Sequence, residues 1–174
     1  MHEARLSGER AARLVALLAE RERTLAVAES LTGGLVVARI VSVPGASAVL
    51  TGGVVAYATQ LKHTLLGVDA ALLAERGAVD AEVARQMADR VRNVCAVNGR
   101  AADLGLATTG VAGPDPQDGH PPGTVHLGIA SARGIRAVSL ELTGSRAEIR
   151  AQTVDALIEE ALAELAEPIS TGAE

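Results

Sequence analysis

The sequence has no tryptophan and no phenylalanine, and only one tyrosine (Tyr57), one lysine (Lys62) and one cysteine (Cys95). A single cysteine forms no internal disulfide, which excludes a small secreted scaffold held by paired cysteines. No stretch of about 18 uninterrupted apolar residues occurs, so no transmembrane helix is expected. Residues 1–22 are charged throughout and lack the apolar region of a signal peptide. Positive charge is also short: the net charge is −5 and the pI about 5.4, which argues against a nucleic-acid partner. A cytoplasmic protein with no membrane association is the expectation. What is present is ordinary for a globular domain, with 48% hydrophobic and 21% charged residues among 174. That length suits a single domain, able to bury roughly 70% of its unfolded surface.

Of 16 basic residues all but Lys62 are arginine. The bland explanation is a compositional bias toward Arg and Ala. The sharper one is chemical: a buried lysine can lose its proton, whereas arginine stays charged. The sole tyrosine lies five positions before it.

Apolar spacing predicts a helix over residues 5–22, a strand over 24–28, and a helix from Leu35 to about Val43. Pro44-Gly45-Ala46-Ser47 breaks the chain before a β-rich stretch, 49–58, that contains Gly52 and Gly53. Short helices follow over 60–66 and after Asp69. Asp80 is placed to cap a longer helix whose apolar stripe includes Cys95, a position that suits core better than a nucleophile. A strand over 103–108 leads into a loop, 110–123, with four glycines and four prolines. Strands over 124–132 and 135–142 form a hairpin, and Ser145 with Glu148 makes a capping box for a last helix ended by Pro168. This alternation predicts an α/β fold: one domain, residues 1–174, with its core over about 5–166 and a short polar tail, built as a three-layer α/β/α sandwich around a mixed, mainly parallel sheet.

Hydroxyl groups beside glycines occur in three loops: Ser30 with Thr32, Ser47, and Thr108 with Thr109. In a doubly wound sheet, loops at the carboxyl ends of strands converge on one crevice. Ser47 with Lys62 suggests a nucleophile and its base, since a serine hydroxyl needs a neighbouring proton acceptor; a cap or turn residue after Pro44-Gly45 is the alternative for Ser47. Tyr57 and Lys62 with a serine are reminiscent of short-chain dehydrogenases, but the spacing is Y-x4-K and no G-x-G-x-x-G follows the first strand. The four histidines carry no triad signature, and Asp115, Asp118, His120 and His126 lack zinc-type spacing, so no metal is expected. Arg146 and Arg150 share one face at the start of the last helix, suited to a phosphate or to a solvated ion-pair surface.

Read together, these motifs form a series. Ala28-Glu29-Ser30-Leu31-Thr32-Gly33-Gly34 resembles the A-E-S-C-T-G-G of the CinA C-terminal domain family. Pro44-Gly45-Ala46-Ser47, Gly52-Gly53-Val54-Val55-Ala56-Tyr57, Lys62, Leu66-Gly67-Val68, Gly77-Ala78-Val79, Thr109-Gly110-Val111-Ala112-Gly113-Pro114, Pro122-Gly123-Thr124-Val125 and Gly144-x-Arg146-x3-Arg150 follow in the family's order. Leu31 stands where the family usually has Cys, Asp80 where it has Ser, and the 115–122 loop lacks the usual Lys. The resemblance implies a nicotinamide-nucleotide amidase that converts nicotinamide mononucleotide to nicotinate mononucleotide and ammonia, with no metal or organic cofactor, in a homo-oligomer. It implies a serine, tyrosine and lysine at Ser47, Tyr57 and Lys62. For the substrate the expectations are Ser30 and Thr109 on the carboxamide and Glu29 on the ribose or pyridinium. The phosphate is expected on N–H groups after Thr32, at Gly33 and Gly34, or on Arg146 and Arg150. Gly52 and Gly53 are expected near the oxyanion, and Gly110 beside Thr109. A domain of the same fold that binds a nucleotide or partner without turnover is the alternative.

Overall fold

The computed structural model describes residues 2–166, with side chains from residue 6 onward. Helix α1 (His2–Glu20) leads to strand β1 (Leu25–Glu29), α2 (Leu35–Val41) and a single 3-10 turn (Ala46–Ala48). Strand β2 (Leu50–Val55), α3 (Thr59–Thr64), α4 (Ala70–Arg76) and α5 (Ala81–Val94) follow. Strands β3 (Leu104–Gly110), β4 (Thr124–Ser131) and β5 (Gly134–Glu141) then precede α6 (Arg146–Ala166). The strands form one sheet in the order β2-β1-β3-β4-β5. β1 runs parallel to both β2 and β3, while β3-β4 and β4-β5 are antiparallel. The sheet is mixed, as expected, with the parallel share confined to its first three strands. The β4-β5 hairpin needs no crossover helix, and that is why it pairs antiparallel.

The two faces of the sheet carry residues of different size. Leu25, Val27, Leu104, Leu106, Val125, Leu127 and Ile129 point to one side, into the core shared with α1, α2 and α6. Ala26, Ala28, Ala107 and Ala130 point to the other, against α5. This alternation is the period-2 signature of a strand buried on both faces. The small face lets α5 lie directly on the sheet: a Cβ at Gly105 or Gly128 would stand 2.0 Å from the carbonyl oxygen of Ala88 or Ala84.

Local chemistry sets the element ends. Asp69 caps α4 through the N–H groups of Ala71 and Leu72, and Asp80 caps α5 through Glu82 and Val83. Ser145 and Glu148 form the expected reciprocal cap, Glu148 Oε2 accepting from the Ser145 backbone at 2.7 Å. Cys95 closes α5, half-buried against Gly52. Pro168 and the polar tail lie outside the described residues.

Candidate functional site

In the parallel part of the sheet, chain order reverses between β1 and β3, because β2 and β3 flank β1 on opposite sides. Such a switch point leaves a crevice outside the carboxyl ends of the two strands. Ser30 follows the last residue of β1, and Thr108 and Thr109 end β3 beside it. The Ser30 N–H donates to the Thr108 carbonyl at 3.0 Å, and the Thr32 and Thr108 hydroxyls meet at 2.8 Å. Thr109 donates its hydroxyl proton to the Ala78 carbonyl at 2.6 Å. A cavity of about 110 Å³ opens here, with Ser30, Tyr57, Ala78, Thr109, Gly110, Asp115 and Arg146 on its wall.

Lys62 reaches this crevice from α3. It is 1% exposed, and its Nζ lies 3.0 Å from Ser30 Oγ and 3.0 Å from the Ala56 carbonyl. Burial pushes its pKa down from 10.5 to about 8, against an opposing pull from the Asp118 carboxylate. At pH 7 roughly one molecule in ten would then carry a neutral amine, against fewer than one in a thousand for an ordinary lysine. The Ala56 carbonyl holds one N–H, which leaves the amine free to take the serine proton. A serine and a low-pKa lysine in contact are the elements of an activated nucleophile.

The expected Ser47–Lys62 pair is corrected. Ser47 is exposed on the 3-10 turn and lines a different hollow, with Val41, Val43, Pro44 and Leu50. The reason is topological. Ser47 precedes β2, whereas Lys62 follows it, and a strand of six residues separates its ends by roughly 17–20 Å. Ser30 shares an end with Lys62 because β1 and β2 are parallel.

Several binding expectations change as well. Glu29 is fully buried and faces α2, not the cavity. Its carboxylate accepts from the backbone N–H groups of Gly34 (2.9 Å), Val36 (3.1 Å) and Val37 (2.9 Å). The start of α2 is thereby occupied by the protein's own anion and does not offer itself to phosphate. Gly33 and Gly34, at φ 59° and 98°, supply the left-handed turn that aims those N–H groups at Glu29. Arg150 donates to the carbonyls of Leu31 (3.0 Å) and Thr32 (2.9 Å) and so braces the serine turn from behind. Gly52 and Gly53 serve packing: a Cβ on Gly53 would meet Val37 at 2.4 Å, and one on Gly52 would meet Cys95 at 3.3 Å. Tyr57 is 57% exposed and accepts from Arg146 Nη2 at 2.8 Å, while Arg146 Nη1 donates to the Gly113 carbonyl at 2.7 Å. Tyr57 therefore stands at the cavity mouth with Arg146, not between the serine and the lysine.

The CinA C-terminal domain model matches residues 8–166. The chain belongs to that family. A CinA-like protein of Frankia casuarinae is 50% identical over 141 residues, 81% of this chain and 31% of that protein. A putative competence-damage inducible protein of Geobacillus kaustophilus is 48% identical over 137 residues, 78% and 32% respectively. The chain thus spans about a third of the length of these curated relatives. Among solved structures, a CinA superfamily protein of Klebsiella pneumoniae superposes with a TM-score of 0.86 at 28% identity, covering 92% of this chain and 98% of that one. The competence/damage inducible protein CihA of Agrobacterium tumefaciens gives 0.83 at 31% identity, covering 92% and 96%. The family accounts for the mixed sheet and its flanking helices.

No helix is long and apolar enough to cross a membrane among the described residues, and no group of three or more His, Cys, Asp or Glu side chains there is placed to hold a metal ion. Sequence reasoning placed Ser30 on the substrate and missed it as the partner of Lys62. The available signal was its position directly after an apolar strand and before a glycine turn, where a strand-to-helix corner presents a nucleophile.

Proposed function

We propose that the protein is an amidohydrolase that deamidates nicotinamide mononucleotide, with Ser30 as nucleophile and Lys62 as its base. The single observation that carries this reading is the 3.0 Å contact between a buried lysine of lowered pKa and a serine hydroxyl on a cavity wall. Family membership and the resemblance of its motifs supply the substrate. Ser30 Oγ attacks the carboxamide carbon while its proton passes to neutral Lys62 Nζ. The resulting oxyanion is received by the N–H groups of Leu31 and Thr32, which meet no protein acceptor among the described residues. Collapse of the adduct breaks the C–N bond, and the Lys62 ammonium returns the proton to the departing nitrogen, giving ammonia and an acyl-serine. Water, deprotonated by Lys62, then releases the nicotinate product and restores Ser30. Thr109 and Gly110 border the carboxamide. Arg146 at the cavity mouth, with Tyr57 fixing one face of its guanidinium, is the cation left for the phosphate. The reading calls for no metal or organic cofactor. Ammonia release from nicotinamide mononucleotide by the purified protein tests it; binding without release would favour a nucleotide-binding domain without turnover.

The reading includes a homo-oligomer of a cytoplasmic protein, and the outer edge of β2 is the surface suited to a second copy. Residues Ile40 to Leu61 contain no charged side chain and no histidine. Edge strands of isolated sheets normally carry charge that blocks further pairing. Among the described residues, exposed large hydrophobic side chains include Val55 on β2, Tyr57 just after it, and Leu35 and Val41 on α2, which packs against β2. Sedimentation of the parent should show more than one copy per particle, and Val55→Lys should shift it toward monomer.

A further inference from the structure

The loop between β3 and β4 ends in a miniature hairpin. Gln117 and His120 exchange backbone hydrogen bonds at 3.0 and 2.9 Å, and the two residues between them, Asp118 and Gly119, both have positive φ, 51° and 81°. This is the Asp-Gly turn that hairpins of two-residue loop favour. The tip is exposed to solvent but tethered. Asp118 Oδ2 accepts the Ala78 N–H at 3.0 Å, across from the next element of the fold. Gly77 makes room for it, since a Cβ there would stand 2.7 Å from the Asp118 carboxylate oxygen. The Ala78 carbonyl is held in turn by Thr109. One peptide segment on the cavity wall is thus gripped from both sides, by β3 and by the loop tip. Behind the tip, Asp115 and Gln117 contribute to the wall of the cavity that contains Ser30.

We propose that Asp118 is a positioning residue: its carboxylate latches the 114–122 loop onto Ala78 and so holds Asp115 and Gln117 in place as the outer wall of the substrate cavity. The proposal rests on the amidase reading for its substrate but not for its geometry. The side chain touches neither Ser30 nor the site of bond cleavage, so its loss loosens the wall without removing a reacting group; the charge that opposes the lowering of the Lys62 pKa is lost alike in both variants described below. The influence of Asp118 on the Lys62 amine is consistent with the tip lying over this end of the sheet.

Two variants separate the latch from the turn. Asp118→Gly removes the acceptor and keeps the left-handed backbone, while Asp118→Asn keeps both, because asparagine tolerates positive φ and its carbonyl oxygen accepts a hydrogen bond. Hydrogen exchange at the Ala78 amide should quicken about threefold to tenfold in Asp118→Gly, the range expected from one hydrogen bond, and return to the parent rate in Asp118→Asn. At pH 9, where the Lys62 amine is mostly neutral with or without the Asp118 charge, KM for nicotinamide mononucleotide should rise by about the same factor in Asp118→Gly with kcat within about twofold, and Asp118→Asn should restore it. Unchanged Ala78 exchange in Asp118→Gly overturns the latch. A fall in kcat at constant KM, or faster exchange with unchanged KM, overturns the positioning role. If the parent protein itself fails to turn over nicotinamide mononucleotide, the amidase reading fails, and the exchange measurement still decides the latch.

Discussion

Ser30 and Ser47 sit at opposite ends of the same pair of parallel strands, and the two ends are made of different materials. Around Ser30 the fold buries Glu29, Thr32, Lys62, Thr108 and Thr109, each with a hydrogen-bond partner. Around Ser47 the neighbours are Val41, Val43, Pro44, Ala46 and Leu50, and the serine itself faces solvent. Burying polar groups costs free energy even when they are paired, so a fold concentrates them where they serve something besides packing. A serine near a glycine turn is common; a serine in contact with a desolvated amine is not.

Exchanging the two serines separately is the sharpest way to break this comparison. Ser30→Ala should lower ammonia release by about a thousandfold or more, the scale of losing a nucleophile, while Ser47→Ala should stay within about twofold of the parent. Steady-state assays on both purified variants, with circular dichroism to confirm folding, check it. The reverse pattern would return the nucleophile to the amino end of the sheet.

Lys62 sharpens the contrast in two measurements. Lys62→Arg keeps charge and approximate length but cannot deprotonate, so it should be nearly as inactive as Lys62→Ala. In the parent, kcat/KM should rise with pH and level off above about 8, the pH at which half the amine is neutral. The same burial makes the lysine a burden on stability. Its folded pKa lies below its unfolded one, so the folded state carries the full penalty below about pH 8 and sheds it as pH rises toward 10.5. Lys62→Met should therefore be more stable than the parent at pH 7, by about 1 kcal/mol or more. That advantage should shrink by pH 10, as urea unfolding at the two pH values would show.

The smallest effect is expected at the cavity mouth. Arg146→Ala should weaken binding of nicotinamide mononucleotide about tenfold and binding of its dephosphorylated nucleoside by much less. Equal losses for both would mean that Arg146 only braces Tyr57 and Gly113. Calorimetric titration of Ser30→Ala, which binds without turnover, provides the comparison.

How much of this was legible in the sequence depends on the range over which each residue acts. The caps at Asp69, Asp80 and Ser145-Glu148 and the β4-β5 hairpin were readable because each is settled within a few residues. So was the importance of Lys62, from its rarity among arginines. The identity of its partner was not. Linear spacing puts Ser47 nearer to Lys62 than Ser30, and only the parallel register of β1 on β2 reverses that order in space. Glu29 and Arg150 misled for a related reason. A carboxylate beside a glycine turn and an arginine near a helix start suit a ligand and a backbone equally well. Here both are engaged by the backbone of the serine turn and the helix it starts.

The gap between Gly53 and Val37 bears on how this protein can change over generations. A single methyl at position 53 would press on the Val37 side chain and on the Val27 carbonyl, 3.3 Å away, so Val37, or α2 with it, would have to shift. Glu29 ties the start of that helix to the residue next to Ser30. Drift at position 53, on an edge strand that makes no contact with substrate in this reading, is therefore coupled to the aim of the nucleophile. Lineages that keep the chemistry inherit the glycine with it, unless Val37 shrinks first.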